Sequence, residues 1–245
     1  MKALVLAAGY GTRLSAVTKG VAKPLVDVSG TTILGRIIED IIKIKDVDEI
    51  YVVTNDKFYP QFTQWKKENV FDVPVVLVND GTNSNENRLG AIGDINLVID
   101  FFKIQEDLLI VAGDSLYEFE LKDFVTSFKS HKMPCMCVKQ HSNKEELSRF
   151  GIVEKDSYNN IISFEEKPVS PKSDLVGYAI YIYPRKVLSL FKGYMQSGRN
   201  TDAPGNFVKY LTDIMLVKAY PFEGKCLDIG TPESLEEARA YFKNR

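Results

Sequence analysis

The sequence predicts an α/β protein with a mostly parallel sheet flanked by helices, and antiparallel strands added in its second half. Three observations predict it. First, Ala3–Ala8, Glu49–Thr54, Val73–Val78 and Leu108–Ala112 are short, continuous apolar runs rich in Val, Ile and Leu. Such runs suit strands buried on both faces of a parallel sheet. Second, helix-like segments alternate with these runs, which implies βαβ units with right-handed crossovers. Third, the texture changes in the second half to short strands joined by polar turns.

Taken in order, the first strand is followed by Ile33, Ile37, Ile38, Ile41, Ile42 and Ile44 at helical spacing, a face that packs on the sheet. Leu89–Phe102 and Leu121–Lys129 are the next two helix candidates. Gly151–Val153, Ile161–Phe164 and Val176–Tyr183 read as strands, with Asp156-Ser157-Tyr158-Asn159-Asn160 as a connecting turn. Tyr178, Ile180 and Ile182 alternate with Ala179, Tyr181 and Tyr183, as an antiparallel strand requires. Near the end, Thr231 suits a helix cap, Pro232 its first position and Glu233 its positive end. Leu235, Ala238 and Phe242 then share one face. No repeat, low-complexity tract or Pro/Gly linker interrupts the chain. The expectation is one domain over residues 1–245, with halves meeting near residue 115.

Composition narrows the function classes. Hydrophobic residues make up 44% and charged residues 26% of 245, enough for a core without disulfides or a structural metal. The net charge of −2 supplies no field for nucleic acid or an anionic membrane, so neither is an expected partner. An anionic ligand is then held by local charges. Cys135, Cys137 and Cys226 are odd in number, and reduced thiols are the simple account. His131 and His141 match no zinc spacing. The apolar run at the N-terminus is too short for a signal-peptide core, and no run is long enough to span a bilayer. The expected location is the cytoplasm.

Chemistry concentrates in a few places. Leu6-Ala7-Ala8-Gly9-Tyr10-Gly11-Thr12-Arg13-Leu14 follows the first strand directly. Glycines let backbone N–H groups approach an anion, and phosphate is the usual guest of such a loop. Arg13 adds a planar cation, and Lys23-Pro24 follows ten residues later. A turn that merely needs glycine competes with this reading. A dinucleotide fingerprint does not fit, because Leu14 stands at the third glycine position. Neither does a Walker A loop, which needs Gly-Lys followed by Ser or Thr. Gly113-Asp114 closes the strand Leu108–Ala112, where a carboxylate can hold Mg²⁺ or simply cap the next segment. Asp80–Asn87 (DGTNSNEN) is a wholly polar loop, either mobile or ligand-binding.

Leu6–Leu14 (LAAGYGTRL) with Lys23-Pro24-Leu25 resembles the signature of the sugar-nucleotide pyrophosphorylases, nearest to short glucose-1-phosphate thymidylyltransferase-like members. The resemblance runs from Ala3 to Tyr241 with its elements in the family's order. It implies a Rossmann-like, GT-A-like nucleotidyltransferase fold whose antiparallel strands form the sugar side. The first half becomes the nucleotide-binding half and the second the sugar-binding half. By the same resemblance, Leu6, Ala7, Ala8, Gly9, Gly11, Thr12 and Arg13 wrap a triphosphate, with Gly113 beside them. Arg13, Lys23 and Lys167 serve catalysis by neutralising charge. Asp114 and Asp228, the latter in a D-I-G-T-P element, hold Mg²⁺. Phe164-Glu165-Glu166-Lys167-Pro168 resembles an E-E-K-P element in which Glu166 binds sugar hydroxyls and Lys167 the sugar phosphate. Gly151 and Tyr178 line the sugar side, though Ala179 stands where the family often has glycine.

The base pocket departs from the family pattern. No glutamine stands near Asn79-Asp80-Gly81, so Asn79 and Asn85 are the candidate base-reading amides, with Gly90 as the base-contacting glycine and Arg88 beside it. An amide pairs with thymine, uracil or cytosine depending on its orientation. Asp202-Ala203-Pro204-Gly205-Asn206-Phe207 resembles a D-A-P-G-x-F segment of some short members, with Asp202 as a helix cap the simple account. The implied reaction joins a nucleoside triphosphate and a sugar-1-phosphate by direct displacement and releases pyrophosphate. Cytidylyl or uridylyl transfer, transfer to a non-sugar phosphate such as phosphocholine, and a non-catalytic nucleotide-sugar-binding subunit are the rivals. The last predicted helix lies close to residue 245, so the β-helix or acetyltransferase domain that some relatives append is not expected within this sequence. A homo-oligomer through sheet or helices stays open here.

Overall fold

The computed structural model describes residues 1–11, 18 and 20–243. In chain order its elements are β1 (Lys2–Leu6), β2 (Asp27–Val28), β3 (Thr31–Thr32), α1 (Ile33–Ile42), β4 (Glu49–Thr54), α2 (Tyr59–Glu68), β5 (Val75–Asn79), α3 (Ala91–Phe102), β6 (Leu108–Ala112), β7 (Ser115–Tyr117), α4 (Leu121–His131) and β8 (Cys135–Gln140). Then follow β9 (Gly151–Lys155), β10 (Ile161–Glu166), β11 (Leu175–Tyr183), α5 (Arg185–Gln196), α6 (Gly205–Thr212), β12 (Lys218–Pro221), β13 (Cys226–Asp228) and α7 (Pro232–Phe242). Single 3-10 segments cover Lys23–Leu25 and Lys144–Arg149.

Two compact units emerge, each assembled from separate stretches of chain. The first holds Met1–Arg88, Val111–Lys122 and Gly224–Arg245, and the second Leu89–Ile110 and Asp123–Glu223.

In the first unit β1 pairs parallel with β4, and β4 parallel with β5. The end of β6 lies beside β1, so the order is β6-β1-β4-β5. β4 is buried along almost its whole length, which is why its sequence is an unbroken apolar run. α1 turns Ile33, Leu34, Ile37, Ile38 and Ile41 inward, close to the predicted isoleucine face. Thr32 caps it by accepting from Gly35 N at 3.0 Å. α7 is capped by Thr231, as its sequence predicts, but the reciprocal partner is Ser234. Leu235 and Ala238 are buried there, and Phe242 lies under the Arg36 guanidinium at 4.5 Å.

The second unit is largely antiparallel: β10 pairs with β9, β9 with β11 and β11 with β8, while β12 joins β8 in parallel. Cys135 and Cys137 lie two apart on β8, both buried, and neither they nor Cys226 of the first unit forms a disulfide. An aromatic core fills the second unit, with Phe191 stacked on Phe207 at 3.8 Å and Tyr183 edge-on to both. The fold class is therefore the mixed, mostly parallel α/β architecture with added antiparallel strands. No described helix is long and apolar enough to cross a membrane.

Boundaries differ from expectation for local reasons. β1 stops at Leu6 rather than Ala8 because the Ala8 carbonyl turns to an asparagine side chain, Asn55. α3 starts at Ala91 rather than Leu89 because Gly90 has φ +78°, which no helix accommodates. Asp202 is not a helix cap. α6 begins at Gly205 behind Pro204, and the Asp202 carbonyl instead accepts from Ala91 N at 3.3 Å.

Candidate active site

In the first unit, β13 pairs antiparallel with β7 and sets Asp228 opposite Ser115. Ile229 N donates to the Asp114 carbonyl at 3.1 Å, which fixes the two carboxylates as neighbours despite their separation in sequence. The Lys23 ammonium reaches both, at 2.8 Å from Asp114 Oδ2 and 3.4 Å from Asp228 Oδ1. Burial is divided unequally: the Lys23 side chain is 10% exposed, whereas Asp114 and Asp228 are 45% and 53% exposed. The lysine is delivered by the 3-10 segment Lys23–Leu25, whose Pro24 is buried. Gln61 of α2 clamps the approach to it, accepting from Ala22 N at 2.9 Å and donating to the Gly20 carbonyl at 2.8 Å.

The same lysine borders the glycine loop, since a Cβ built on Gly11 would sit 3.6 Å from Lys23 Cβ. Gly113 N donates to the Leu6 carbonyl at 2.8 Å, so the strand end that carries Asp114 is tied to the start of that loop. Leu6, Ala7, Ala8, Gly9 and Gly11 thus gather with Gly113, Asp114, Lys23 and Asp228. Thr12 and Arg13 lie outside the described residues.

The polar loop reaches the glycine loop through Tyr10, whose hydroxyl lies 2.9 Å from Thr82 Oγ1. Thr82 in turn donates to Asp80. Asn79 has both ends of its amide engaged, donating to Asp56 Oδ1 at 2.7 Å and accepting from Gly81 N at 2.9 Å. The Asn85 carbonyl accepts from Arg88 Nη1 at 2.6 Å. These contacts shape the loop, and they occupy the side chains of Asn79 and Arg88 at least in part.

In the second unit, Gly90 has a structural reason to be glycine. Besides its positive φ, a Cβ there would stand 2.6 Å from the Thr201 carbonyl oxygen. Thr201 and Asp202 accept the first N–H groups of α3, from Ile92 and Ala91, and so satisfy that helix start.

Glu166 ends β10 opposite Gly151 on β9, and Lys167 follows it directly. The Glu166 carboxyl is 26% exposed, and burial raises its pKa above the usual value, with Lys167 opposing the shift. Lys167 is 65% exposed, 3.7 Å from Glu166 Oε1, and held in the left-handed region at φ +46°. Its N–H donates to the Phe150 carbonyl at 3.0 Å. Tyr178 and Phe150 pack on the buried cluster of Leu147, Ile152 and Val176. Gly151, Glu166, Lys167 and Tyr178 thus belong to one corner of the second unit. The ring of Phe164 fills the space where both Gly151 and Gly205 would carry a Cβ, at 2.5 and 2.1 Å from Phe164 Cζ. That contact explains the glycine of the Asp202–Phe207 segment.

Asn55, Tyr10 and Thr82 were not singled out as site residues by the sequence. The one signal available was three polar residues, Thr54-Asn55-Asp56, at the end of a strand that faces the glycine loop. The donor chemistry suits Mg²⁺. Two half-exposed carboxylates converge on a place already held by one cation, the Lys23 ammonium. No group of three or more His, Cys, Asp or Glu gathers among the described residues, so water and phosphate oxygens would complete the shell.

Residues 2–245 match the family model described as nucleotidyl transferase. The bifunctional protein GlmU of Methanocaldococcus jannaschii is 29% identical over 100% of this chain and 55% of its own length. The glucose-1-phosphate adenylyltransferase of Clostridium novyi is 30% identical over 97% of this chain and 65% of its own. The chain therefore spans about half to two thirds of the curated relatives it matches. A Bacillus anthracis structure, provisionally assigned as a glucose-1-phosphate thymidylyltransferase in complex with a sucrose, superposes with TM-score 0.84 at 22% identity. The match covers 100% of this chain and 96% of that one, and it bears on the fold.

Proposed function

The chain belongs to the nucleotidyl transferase family, and we propose that it acts as a sugar-1-phosphate nucleotidylyltransferase. The observation that carries this reading is the pair Asp114 and Asp228 closed around Lys23 Nζ beside a glycine loop. In the proposed reaction a sugar phosphate oxygen forms a bond to the α-phosphorus of a nucleoside triphosphate. The bond from that phosphorus to the bridging oxygen breaks, and the electron pair leaves with pyrophosphate. A phosphate oxygen is nucleophilic at neutral pH, so no protein nucleophile is required, and the residues position and stabilise charge.

The loop from Leu6 to Gly11, with Thr12, Arg13 and Gly113, binds the triphosphate through backbone N–H groups and the Arg13 cation. Lys23 donates to a phosphate oxygen as charge builds on the leaving group. Asp114 and Asp228 would hold Mg²⁺, which withdraws charge from the α-phosphate. Glu166 accepts hydrogen bonds from sugar hydroxyls, a role its half-buried carboxylate suits, and the exposed Lys167 holds the sugar phosphate. Gly151 and Tyr178 line the sugar's surroundings. Base choice falls to the segment from Asn79 to Gly90. The names of the relatives differ in base, adenylyl in one and thymidylyl in another, so no base is carried over.

Pyrophosphate release with Mg²⁺ tests the proposal, with five nucleoside triphosphates crossed against a panel of sugar-1-phosphates and phosphocholine. Release that needs both a triphosphate and a sugar phosphate is expected, and the productive pair names base and sugar. Release with phosphocholine alone would reassign the acceptor. Folded protein that releases nothing with any pair would overturn the enzymatic reading.

A further inference from the structure

We infer that Asn55 is a positioning residue, which holds the Gly9 N–H turned outward as a ready donor to an anionic phosphate oxygen. The inference rests on the phosphate-loop reading above and adds to it a residue with no glycine, charge or motif to mark it.

Asn55 is fully buried between the end of β4 and the start of α2. Its Oδ1 accepts from Phe58 N at 3.1 Å, and its Nδ2 donates to the Ala8 carbonyl at 2.8 Å. Only one orientation of the amide satisfies both partners. The two halves have different value. Accepting from Phe58 N is a turn function that serine or aspartate performs as well. Donating to the Ala8 carbonyl at the same time takes the second end of the amide, and that half serves only the loop.

The consequence follows from the peptide unit. A carbonyl and the next residue's N–H point in opposite directions within a trans peptide plane, and the described chain contains no cis bond. Pinning the Ala8 oxygen toward the buried Asn55 therefore aims the Gly9 N–H away from the protein interior. Gly9 itself is exposed. A Cβ on it would meet no described atom within 4 Å, and its φ is outside the left-handed region. Among the described residues, neither crowding nor strain asks for glycine at this position. Close approach by a ligand does.

The test uses the full chain with inorganic triphosphate as the probe. Calorimetry gives affinity, and the amide signal of Gly9, among the sixteen glycines, reports the donor in a ¹⁵N-glycine spectrum. Asn55→Asp keeps the acceptor but sets a carboxylate against the Ala8 oxygen. Asn55→Ser keeps the acceptor without burying a charge, so it serves if the first variant folds poorly. Both are expected to weaken triphosphate binding about tenfold, which is about 1.4 kcal/mol. The triphosphate-induced shift of Gly9 is expected to vanish, while sugar-1-phosphate affinity is unchanged well below the melting temperature. A purely structural role would lower the melting temperature and leave the Gly9 shift intact. Wild-type affinity with the Gly9 shift retained in a folded variant overturns the inference. Wild-type protein that binds no triphosphate overturns the phosphate-loop reading itself, a separate result.

Discussion

Each unit sets carboxylates beside a lysine, and the two divide burial in opposite ways. In the first, the Lys23 side chain is 10% exposed and its two aspartates are about half exposed. In the second, the carboxyl of Glu166 is 26% exposed while Lys167 is 65% exposed and slightly too far for a hydrogen bond, at 3.7 Å. A sheltered cation between outward carboxylates leaves oxygen lone pairs open to a second cation. A sheltered carboxylate beside an outward cation leaves an acceptor suited to neutral hydroxyls and a free donor suited to an anion. The same two residue types are thus prepared for different guests by which of them faces water.

The strongest way to break the comparison is to neutralise one outward carboxylate. Asp114→Asn is expected to lower Mg²⁺-dependent turnover on the order of 10²–10³-fold, the scale of losing one strong electrostatic group, with little change in melting temperature. Near-normal pyrophosphate release in that variant would falsify the metal assignment. Removing the sheltered cation sharpens the same point without an activity assay. Lys23→Met leaves Asp114 and Asp228 repelling each other, so its melting temperature should drop by about 3 °C. Millimolar Mg²⁺ should restore it by more than it stabilises wild type. Equal Mg²⁺ responses in the two proteins would mean that the carboxylates do not form a cation site.

The smallest effect belongs to the second unit. Burial raises the pKa of Glu166, so folding favours its protonated form. That contribution is present below the ordinary carboxylate range and is lost as pH rises through the raised folded-state value. Glu166→Gln removes the charged state, and its melting temperature should exceed wild type by about 1–2 °C at neutral pH. The advantage should shrink as pH falls from the raised value toward the ordinary carboxylate value, and be gone below it. Its KM for sugar-1-phosphate should rise. A melting difference that ignores pH would show that burial does not govern this group.

Much of the fold was legible because burial writes itself into the chain. β4 needed an unbroken apolar run and has one, and α1 needed its isoleucines on a helical face. The helices α2 and α5 were harder to see. α2 buries little more than Phe62 and Trp65, and α5 reads as a mixture of basic and aromatic residues until the aromatic core is assembled. In the site, Asp114 and Lys23 were marked by motif, but their 2.8 Å contact was not, because Asp114 is brought to the glycine loop by the bond from Gly113 N to the Leu6 carbonyl, far away in sequence. Asn55 left almost no trace. Its importance lies in a hydrogen bond to a backbone carbonyl 47 residues away, and a carbonyl carries no sequence signal.

The ring of Phe164, pressed against the backbone at Gly151 and at Gly205, has a consequence for how this corner can change over time. Neither glycine can acquire a side chain while the ring is in place, because the new methyl would overlap it. A smaller residue at position 164 lifts both restrictions at once, at the cost of a cavity that a later Gly151→Ala or Gly205→Ala change would partly refill. The three positions therefore form an ordered path rather than three independent choices. The aromatic must go first, and a lineage that has taken that step and filled the space can no longer regain the phenylalanine by a single reversal.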